Sequence, residues 1–522
     1  MMEYDQEKSS VAQRYTHLQT TRESYLRRAR DASKLTIPSL IPPEGHSDAT
    51  VYETPYQAVG ARGVNNLASK LLMALLPPNS PFFRLTIDDF DILEVAGPEA
   101  RGQVEEALAR IERTAMSEVE ALALRVPSFE ILKHLIVGGN GLLYMPKKGD
   151  VKFYRLDSYV VKRDYMGNLL EIITKESVSP MMLPPKAQEL VKSQDDAAKS
   201  IDLYTCVKRT QKGWYIHQEV MGELIEGTEG QYPLDKNPFI PLRLNRIDGE
   251  DYGRGFVEEY LGDLKSLETL TQAIVEGSAA SAKVLFMVAP NGTTKARVLA
   301  DSPNGAIVQG NAQDVSTLQV NKFNDFRVAL ETITQITERL SFAFLLNSSV
   351  QRNAERVTAE EVRFMAQELE GALGGVYSIL SQEFQLPLVK LLLNRLEVEG
   401  KMPKMPKDSV KPQIVTGIEA LGRGQDLNKL AQMLNYLQPL GPEVIAQYMN
   451  VSDYIDRLAA SLGIDTGGLI KNEEQMQMER QQAQEMQQMQ QMQQTMGNMA
   501  EKATPKLAEA MMAQGAGQQQ PQ

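Results

Sequence analysis

The sequence has few of the features that point to a disulfide framework or a membrane span. One cysteine, Cys206, occurs among 522 residues, which excludes an internal disulfide and a cluster of thiolate metal ligands. This usage fits a reducing compartment such as bacterial cytoplasm. No apolar stretch reaches the ~20 residues that span a bilayer, and the first residues lack a basic start followed by an apolar run. We therefore expect no membrane insertion of this chain.

Motifs of nucleotide and metal chemistry are also missing from the sequence. There is no GxxxxGK[ST] phosphate loop, and Gly138-Gly-Asn-Gly141 lacks the spacing of a dinucleotide site. The four histidines lie far apart, and His134, beside an apolar face, is best interpreted as a packed residue. A partial calcium-loop pattern, Asp248 to Glu259, has Tyr252 at a ligand position. We predict no enzyme, no catalytic residue, no cofactor and no metal.

Basic residues are fewer than acidic ones: 55 Lys and Arg stand against 67 Asp and Glu, so the formal net charge is −12. A tight general DNA-binding protein would be basic, so the balance argues against that class. It remains compatible with a surface past which DNA slides, since each neutralised phosphate adds to a salt-sensitive grip and a channel should have few such contacts. A modest basic cluster near the start is predicted to be a solvated helix face rather than a nucleic-acid contact; its members are Arg14, Arg22, Arg27, Arg28 and Arg30.

The stretch from Asp251 to Gly400 organises the rest of the chain. It reads as a helix over 251–283, a small insert over 284–324, a second helix over 325–346, an exposed loop over 347–358 and one long helix over 359–400. Within the insert, strands are predicted at Val284–Val288, Gly305–Val308 and Ser316–Val320.

The long helix begins at a capping box formed by Thr358 and Glu361. Its apolar residues recur at steps of three or four, and they are Val362, Met365, Leu369, Leu373, Val376, Leu380 and Phe384. The pattern continues to about Leu396, which gives about 57 Å of helix at 1.5 Å per residue. Pro387 is predicted to kink the helix, with Gly374 and Gly375 as a second weak point.

The flanking segments complete a predominantly helical α+β fold. Residues 1–250 are predicted to form one mixed domain, in which a helix over 98–126 is broken at Pro127. Residues 401–412 form a Lys/Pro linker, and 413–472 contain several short helices. The Gln- and Met-rich tail, 473–522, is helical or disordered.

Four long runs resemble the portal, or head-to-tail connector, proteins of short-tailed phages of the T-seven group. The runs follow one another in matching order, and the resemblance covers nearly all of the chain except the tail. They are "TPYQAVGARGVNNLASKLLMALLPP" from Thr54, "RIDGEDYGRGFVEEYLGDLKSLETL" from Arg246, "RLSFAFLLNSSVQRNAERVTAEEVR" from Arg339 and "GGVYSILSQEFQLPLVKLLL" from Gly374.

The resemblance implies a portal fold around a central channel, with a long kinked helix as its spine. It assigns 1–250 and the long helix 359–400 to the wing, 251–283 and 325–346 to the stem, and 284–324 to the clip. It assigns 347–358 to a tunnel loop and 413–472 to the crown.

The same resemblance implies the function and the partners. Portal proteins form a homododecameric ring at one capsid vertex, nucleate head assembly and conduct double-stranded DNA during packaging and ejection. The implied partners are the terminase large subunit, tail or neck adaptor proteins, the major capsid and scaffolding proteins, and internal core proteins. The implied location is the portal vertex of the virion, after assembly in the bacterial cytoplasm.

The candidate sites lie in the tunnel loop and the clip. The tunnel-loop residues predicted to line the DNA channel are Asn347, Ser348, Ser349, Gln351, Arg352, Asn353 and Arg356. The arginines would touch phosphates without reading sequence; alternatively, Arg356 pairs with Glu355 or Glu360 at a helix start. The residues predicted to bind partners in the clip are Lys295, Arg297, Asn304 and Lys322.

Two rival functions remain at this point. One is a capsid-internal or adaptor protein that assembles but conducts nothing. The other is a nuclease or ATPase subunit, which would show turnover without the packaging motor.

Overall fold

The structure is a computed structural model. It describes residues 10–47, 49–78, 81–87, 101–185, 187–188, 200–281, 285–318, 323–346, 369, 371, 375–403, 410–414, 431–441, 454–455, 486 and 489. The chain divides into two compact units, Met1–Gly422 and Arg423–Gln522, and the first contains most of these residues.

The helices agree in outline with the apolar periodicity of the sequence. They are α1 (Val11–Lys34), α2 (Val59–Leu75), α3 (Arg101–Ala121), α4 (Arg125–Gly138), α5 (Phe256–Glu259), α6 (Leu261–Ser281), α7 (Ala296–Asp301), α8 (Phe323–Ala343), α9 (Val376–Leu380) and α10 (Leu386–Val398). Helix α4 packs against both α1 and α2. Its residues join a main core with side chains from α2 and α10.

The predicted break at Pro127 is wrong in position. Helix α3 ends at Ala121 and α4 begins at Arg125, so Pro127 lies in the first turn of α4. A proline is tolerated there because the first N–H groups of a helix have no intrahelical partner. The chain reverses at Ala123 instead, whose φ of 45° is in the left-handed region.

The strands form small sheets around this helical core. They are β1 (Phe83–Ile87), β2 (Asn140–Tyr144), β3 (Lys152–Tyr154), β4 (Tyr159–Arg163), β5 (Leu169–Val178), β6 (Ile201–Thr210), β7 (Gly213–Val220), β8 (Glu223–Leu224), β9 (Gly230–Tyr232), β10 (Phe239–Arg243), β11 (Leu285–Val288), β12 (Val315–Leu318) and β13 (Val410–Ile414). Strands β4 to β8 form an antiparallel meander with β9 beside β7, and β10-β2-β3 form a second sheet.

Residues 410–412, which the sequence analysis assigns to a linker, are part of strand β13. This strand pairs antiparallel with β1, and Pro412 lies opposite Leu85. Proline lacks an N–H for the ladder, but the described sheet has two strands, so each strand is an edge where proline is accepted. The pairing joins segments more than 300 residues apart, which local sequence patterns do not reveal.

The predicted first stem helix begins later than expected, because 251–255 are not helical. Gly253 and Gly255 cross directly over the end of α4. A Cβ on Gly255 would lie 2.3 Å from the carbonyl oxygen of Val137, so only glycine allows this approach.

In the insert, β11 and β12 confirm two of the three predicted strands. The predicted middle strand over 305–308 is turn and coil instead. The α-helical element between β11 and β12 is α7.

Candidate functional site

Helices α6 and α8 pack side by side and carry the insert between them. Their buried residues are Leu264 and Leu267 near the start of α6 and Ile336 and Leu340 near the end of α8. Arg339 closes this end, donating to the Asp263 carboxylate at 3.0 Å. Helices α6 and α8 are therefore anchored at the end where they join the main core. Their side chains become more exposed toward the insert.

Close helix packing continues further along the pair through Gly277. A Cβ at this position would lie 2.7 Å from the Phe326 ring, so the ring occupies the space that the glycine leaves free. At Gly277, α6 therefore packs closely against α8 of the same chain.

Apolar side chains beyond this anchored end are exposed on the single chain. Val275, Val328 and Leu330 on the helices are 50–61% exposed. In the insert, Phe286 and Met287 are neighbours on β11, so they point to opposite faces of a two-stranded sheet. They are 64% and 55% exposed, and Ile307 is fully exposed. Exposed apolar side chains on these elements make them candidates for a protein–protein contact.

The chain that leaves α8 is fixed on helix α2. The Phe344 ring lies over Gly63, where a Cβ would be 2.5 Å from ring carbon Cγ. Asn66 donates to the carbonyls of Phe344 and Leu345 at 2.9 and 3.0 Å, and the Lys70 ammonium donates to Leu345 at 3.1 Å. These bonds hold Leu345 at a φ of 54°, a left-handed conformation that is unusual for a branched side chain. The residues before 347 are thus rigidly positioned.

Sequence reasoning missed Asn66 and Lys70. The signal was the spacing of Asn66 and Lys70, which lie four residues apart and therefore on one face of a helix rich in apolar residues, where buried polar side chains need specific partners. The tunnel-loop residues themselves lie outside the described residues; these are Asn347, Ser348, Ser349, Gln351, Arg352, Asn353 and Arg356.

Three of the four predicted clip residues are described, and all three are exposed. Lys295 precedes α7, Arg297 lies in its first turn and Asn304 follows in the next turn. The Arg297 side chain is 95% exposed and meets Asp301 at 3.8 Å, a surface pair that contributes little. The turn before α7 is held by Asp314, which accepts from the Thr294 amide at 3.1 Å. Lys322 lies outside the described residues.

A π-helical turn, Ser381–Gln385, lies at the predicted kink and ends two residues before Pro387. Its Glu383 carboxylate accepts from Arg243 at 2.7 Å, and Gln385 donates to the Leu75 carbonyl at 2.6 Å. Of the other weak point, Gly375 is described as a turn residue and Gly374 lies outside the described residues.

The remaining polar candidates have partners within the fold. Arg22 of the basic cluster is 2% exposed and donates to the Tyr159 carbonyl at 3.0 Å, so the solvated-face interpretation is wrong for this residue. Glu250, from the calcium-like pattern, accepts from Tyr25 at 2.7 Å. His134 is buried, packs against Phe153 at 4.6 Å, and burial lowers its pKa.

Among the described residues, no helix combines the length and apolarity needed to cross a membrane.

Comparison with known proteins shows the family to which this chain belongs. A family described as "Bacteriophage head to tail connecting protein" matches residues 8–470. The chain is 46% identical to the portal protein of Enterobacteria phage T3, over 89% of this chain and 88% of that protein. It is 45% identical to the portal protein of Escherichia phage T7, over 90% and 89%. It is 32% identical to the portal protein of Enterobacteria phage SP6, over 92% and 94%. The chain therefore belongs to the bacteriophage head-to-tail connecting, or portal, protein family.

Proposed function

We propose that copies of this chain form a ring at one capsid vertex and that double-stranded DNA passes through its axial channel during packaging and ejection. The ring also nucleates head assembly and docks the packaging motor, tail adaptor and internal core proteins. In this arrangement α6 and α8 form the stem, the insert forms the clip, and residues 347–358 line the channel. The ring resides in the virion after assembly in the host cytoplasm.

The observation that carries the proposal is the apolar exposure of the stem and clip. Val328 and Leu330 of α8 and Phe286 and Met287 of β11 all exceed half exposure in a single chain. A two-stranded sheet with both faces uncovered is marginal in water by itself. Neighbouring copies in a ring would cover these surfaces, because a head-to-tail contact that closes on itself repeats around the axis.

The first test is the assembly state of a stem variant. We expect Val328→Asp to convert rings with an open axial hole, seen by negative-stain imaging of the wild type, into smaller species, because a carboxylate would be buried at the contact. Val126→Asp is the matched control: Val126 is 71% exposed on α4, outside the stem, and its variant should still form rings.

Two outcomes would contradict the ring. A wild-type sample that remains monomeric, or a closed particle without a passage wide enough for a duplex, favours a non-conducting adaptor. Rings that form equally well from Val328→Asp would show that the stem is not the contact.

The exposed cations of the clip are the proposed docking point for the motor and the tail adaptor. Lys295 and Arg297 are both exposed and lie two positions apart, and the weak contact with Asp301 leaves Arg297 available to an acidic partner. A rim charge of this kind governs the association rate and its salt dependence more than it governs stability.

We therefore expect the double variant Lys295→Glu/Arg297→Glu to form normal rings but to bind the terminase large subunit at least about tenfold more weakly at low salt. Binding would be measured by surface plasmon resonance on assembled rings. Lys148→Glu, which reverses an exposed charge in a wing loop, is the control and should bind like wild type. Equal binding by the clip variant would remove these residues from the docking surface.

A further inference from the structure

One corner of the β4–β8 sheet has a small core of its own, separate from the main core. Its buried members are Leu183, Ala187, Val220 and Ile225. The first two come from the connection between β5 and β6, and the other two lie at the end of β7 and directly after β8. The core is therefore built where several chain connections meet at one end of the sheet.

Exposed apolar side chains surround this small core. Met181 and Met182 are 87% and 82% exposed, and two further members are about half as exposed. Each of the four lies within two residues of a member of the small core, so they border it together. We call this surface the methionine patch, and it consists of Met181, Met182, Met221 and Leu224.

The two most exposed methionines lie in an ordered turn. The Met182 amide donates to the Ser179 carbonyl at 2.9 Å. The side-chain amide of Gln188 donates to the carbonyls of Met181 and Leu183 at 3.1 and 2.8 Å. Their exposure is therefore a property of a fixed turn, which holds the backbone while Leu183 packs inward.

Met221 occupies a position that favours other residues. It forms the two-residue turn between β7 and β8 with Gly222, and the two residues have φ values of 54° and 84°. Two positive φ values are typical of a type I′ turn, in which Asn or Gly is preferred because a larger side chain is strained. A strained residue with an exposed apolar side chain points to a role other than folding.

The charges beside the patch are negative. Residues 221–230 contain three glutamates and no lysine or arginine. Two of them, Glu223 and Glu226, are exposed. Lys175, toward the same end of β5, is paired with Asp202 at 2.8 Å. A complementary partner therefore presents positive charge next to an apolar surface.

We propose that the methionine patch docks a cationic amphipathic helix of another protein. The apolar face of this helix covers the methionines, and its lysines or arginines lie beside Glu223 and Glu226. Methionine suits such a surface because its unbranched thioether adapts to irregular apolar partners, and amphipathic helices bind through apolar residues on one face. A second copy of this chain, with a net charge of −12, is a poorer complement. The patch lies outside the clip and the predicted tunnel loop, so the inference does not depend on the proposed function.

The probe is a labelled synthetic helix of about 14 residues, or about four turns, with leucine on one face and lysine on the other. Fluorescence anisotropy measures its binding to the full-length protein. We expect Met181→Gln/Met182→Gln to weaken binding at least about tenfold, because the replaced side chains supply apolar contact area. Met166→Gln is the matched control: Met166 is 61% exposed in the turn between β4 and β5, and its variant should bind like wild type. Equal binding by the double variant would overturn the proposal.

A second peptide tests the charge of the partner. With glutamate in place of every lysine and the same leucine face, it should bind at least about tenfold more weakly than the lysine peptide. Glu223→Gln/Glu226→Gln should reduce the affinity for the lysine peptide and flatten its dependence on salt. Binding of the acidic peptide as tightly as the basic one would overturn the assignment of a cationic helix.

Methionine oxidation shows whether the patch is free in the assembled protein. Hydrogen peroxide converts accessible methionine to its sulfoxide, which mass spectrometry locates in the chain. Without peptide, Met181 and Met182 should oxidise about as fast as Met166, and the lysine peptide should slow only the first two. Slow oxidation without peptide would show that copies of this chain already cover the patch, which would overturn the proposal.

Met221→Asn separates binding from folding. Asparagine suits the type I′ turn, so the thermal unfolding midpoint should equal or exceed that of wild type while the affinity for the lysine peptide falls. A lower midpoint together with unchanged affinity would overturn the role of Met221 as a contact residue and leave it with a structural one.

Discussion

At the scale of single residues, positions with an unusual environment mark how the end of α8 is attached to α2. Gly63 is buried in α2 because the Phe344 ring occupies the position that its side chain would fill. Leu345 adopts a positive φ and is held by bonds from Asn66 and Lys70. A strained residue persists only where its surroundings determine it. The start of the predicted tunnel loop is consequently set by α2 rather than by its own sequence.

Because of this attachment, we expect replacement by alanine to lower the free energy of unfolding at one glycine and not to lower it at another. Gly63→Ala should lower the free energy of unfolding by about 1–3 kcal/mol, because the methyl group overpacks against a ring that cannot withdraw. Gly262→Ala is the control: no described atom lies within 4 Å of a Cβ at this α6 position, so the helix propensity of alanine should leave stability equal or raise it by up to about 1 kcal/mol.

Thermal unfolding of both variants under one buffer condition measures the difference. If Gly63→Ala melts at or above the wild-type temperature, the contact between Phe344 and α2 is not the anchor that its geometry indicates.

At the scale of elements, the sequence predicts what is local and misses what is distant. The helices predicted over 251–283 and 325–346 are found in outline as α6 and α8, and two predicted strands of the insert are found as β11 and β12, because each depends on the periodicity of a short window. Strand β13 escapes prediction because its partner β1 lies at residues 83–87. A Lys/Pro-rich segment is typical of a linker, and only the tertiary structure shows that it pairs with β1.

The predicted kink likewise has a local cause, whereas its geometry depends on residues that are distant in sequence. Pro387 indicates that an α-helix cannot continue unchanged, and this can be read from one residue. The π-turn that results depends on Arg243 from β10 and on the end of α2, neither of which is near in sequence. Sequence therefore predicts the position of the irregularity, whereas its geometry and its tethers require the tertiary structure.

At the scale of the whole molecule, the charge balance constrains how the chain can handle DNA. In the proposed ring, the net charge of −12 on every copy would repel a polyanion, except where cations line the channel. Arg22 of the N-terminal basic cluster is buried in the fold, and Arg14 and Arg28 pair with Glu171 and Glu258. The predicted grip on DNA thus rests on the arginines of residues 347–358, for which channel contact remains a prediction.

We expect Arg352→Ala/Arg356→Ala to form normal rings but to retain packaged DNA less well, with a smaller dependence of retention on salt. Each phosphate contact contributes about −0.9 to the slope of log affinity against log salt, so the loss of two arginines per copy should flatten that slope measurably. Retention would be followed as encapsidated DNA remaining after incubation across a salt series. Arg209→Ala/Lys212→Ala removes two exposed cations at the β6–β7 hairpin and should behave like wild type. Failure of the tunnel-loop variant to form rings would instead support the pairing of Arg356 with Glu355 or Glu360. Unchanged retention in intact rings would remove both arginines from the DNA path, because the sequence of residues 347–358 contains no other Lys or Arg.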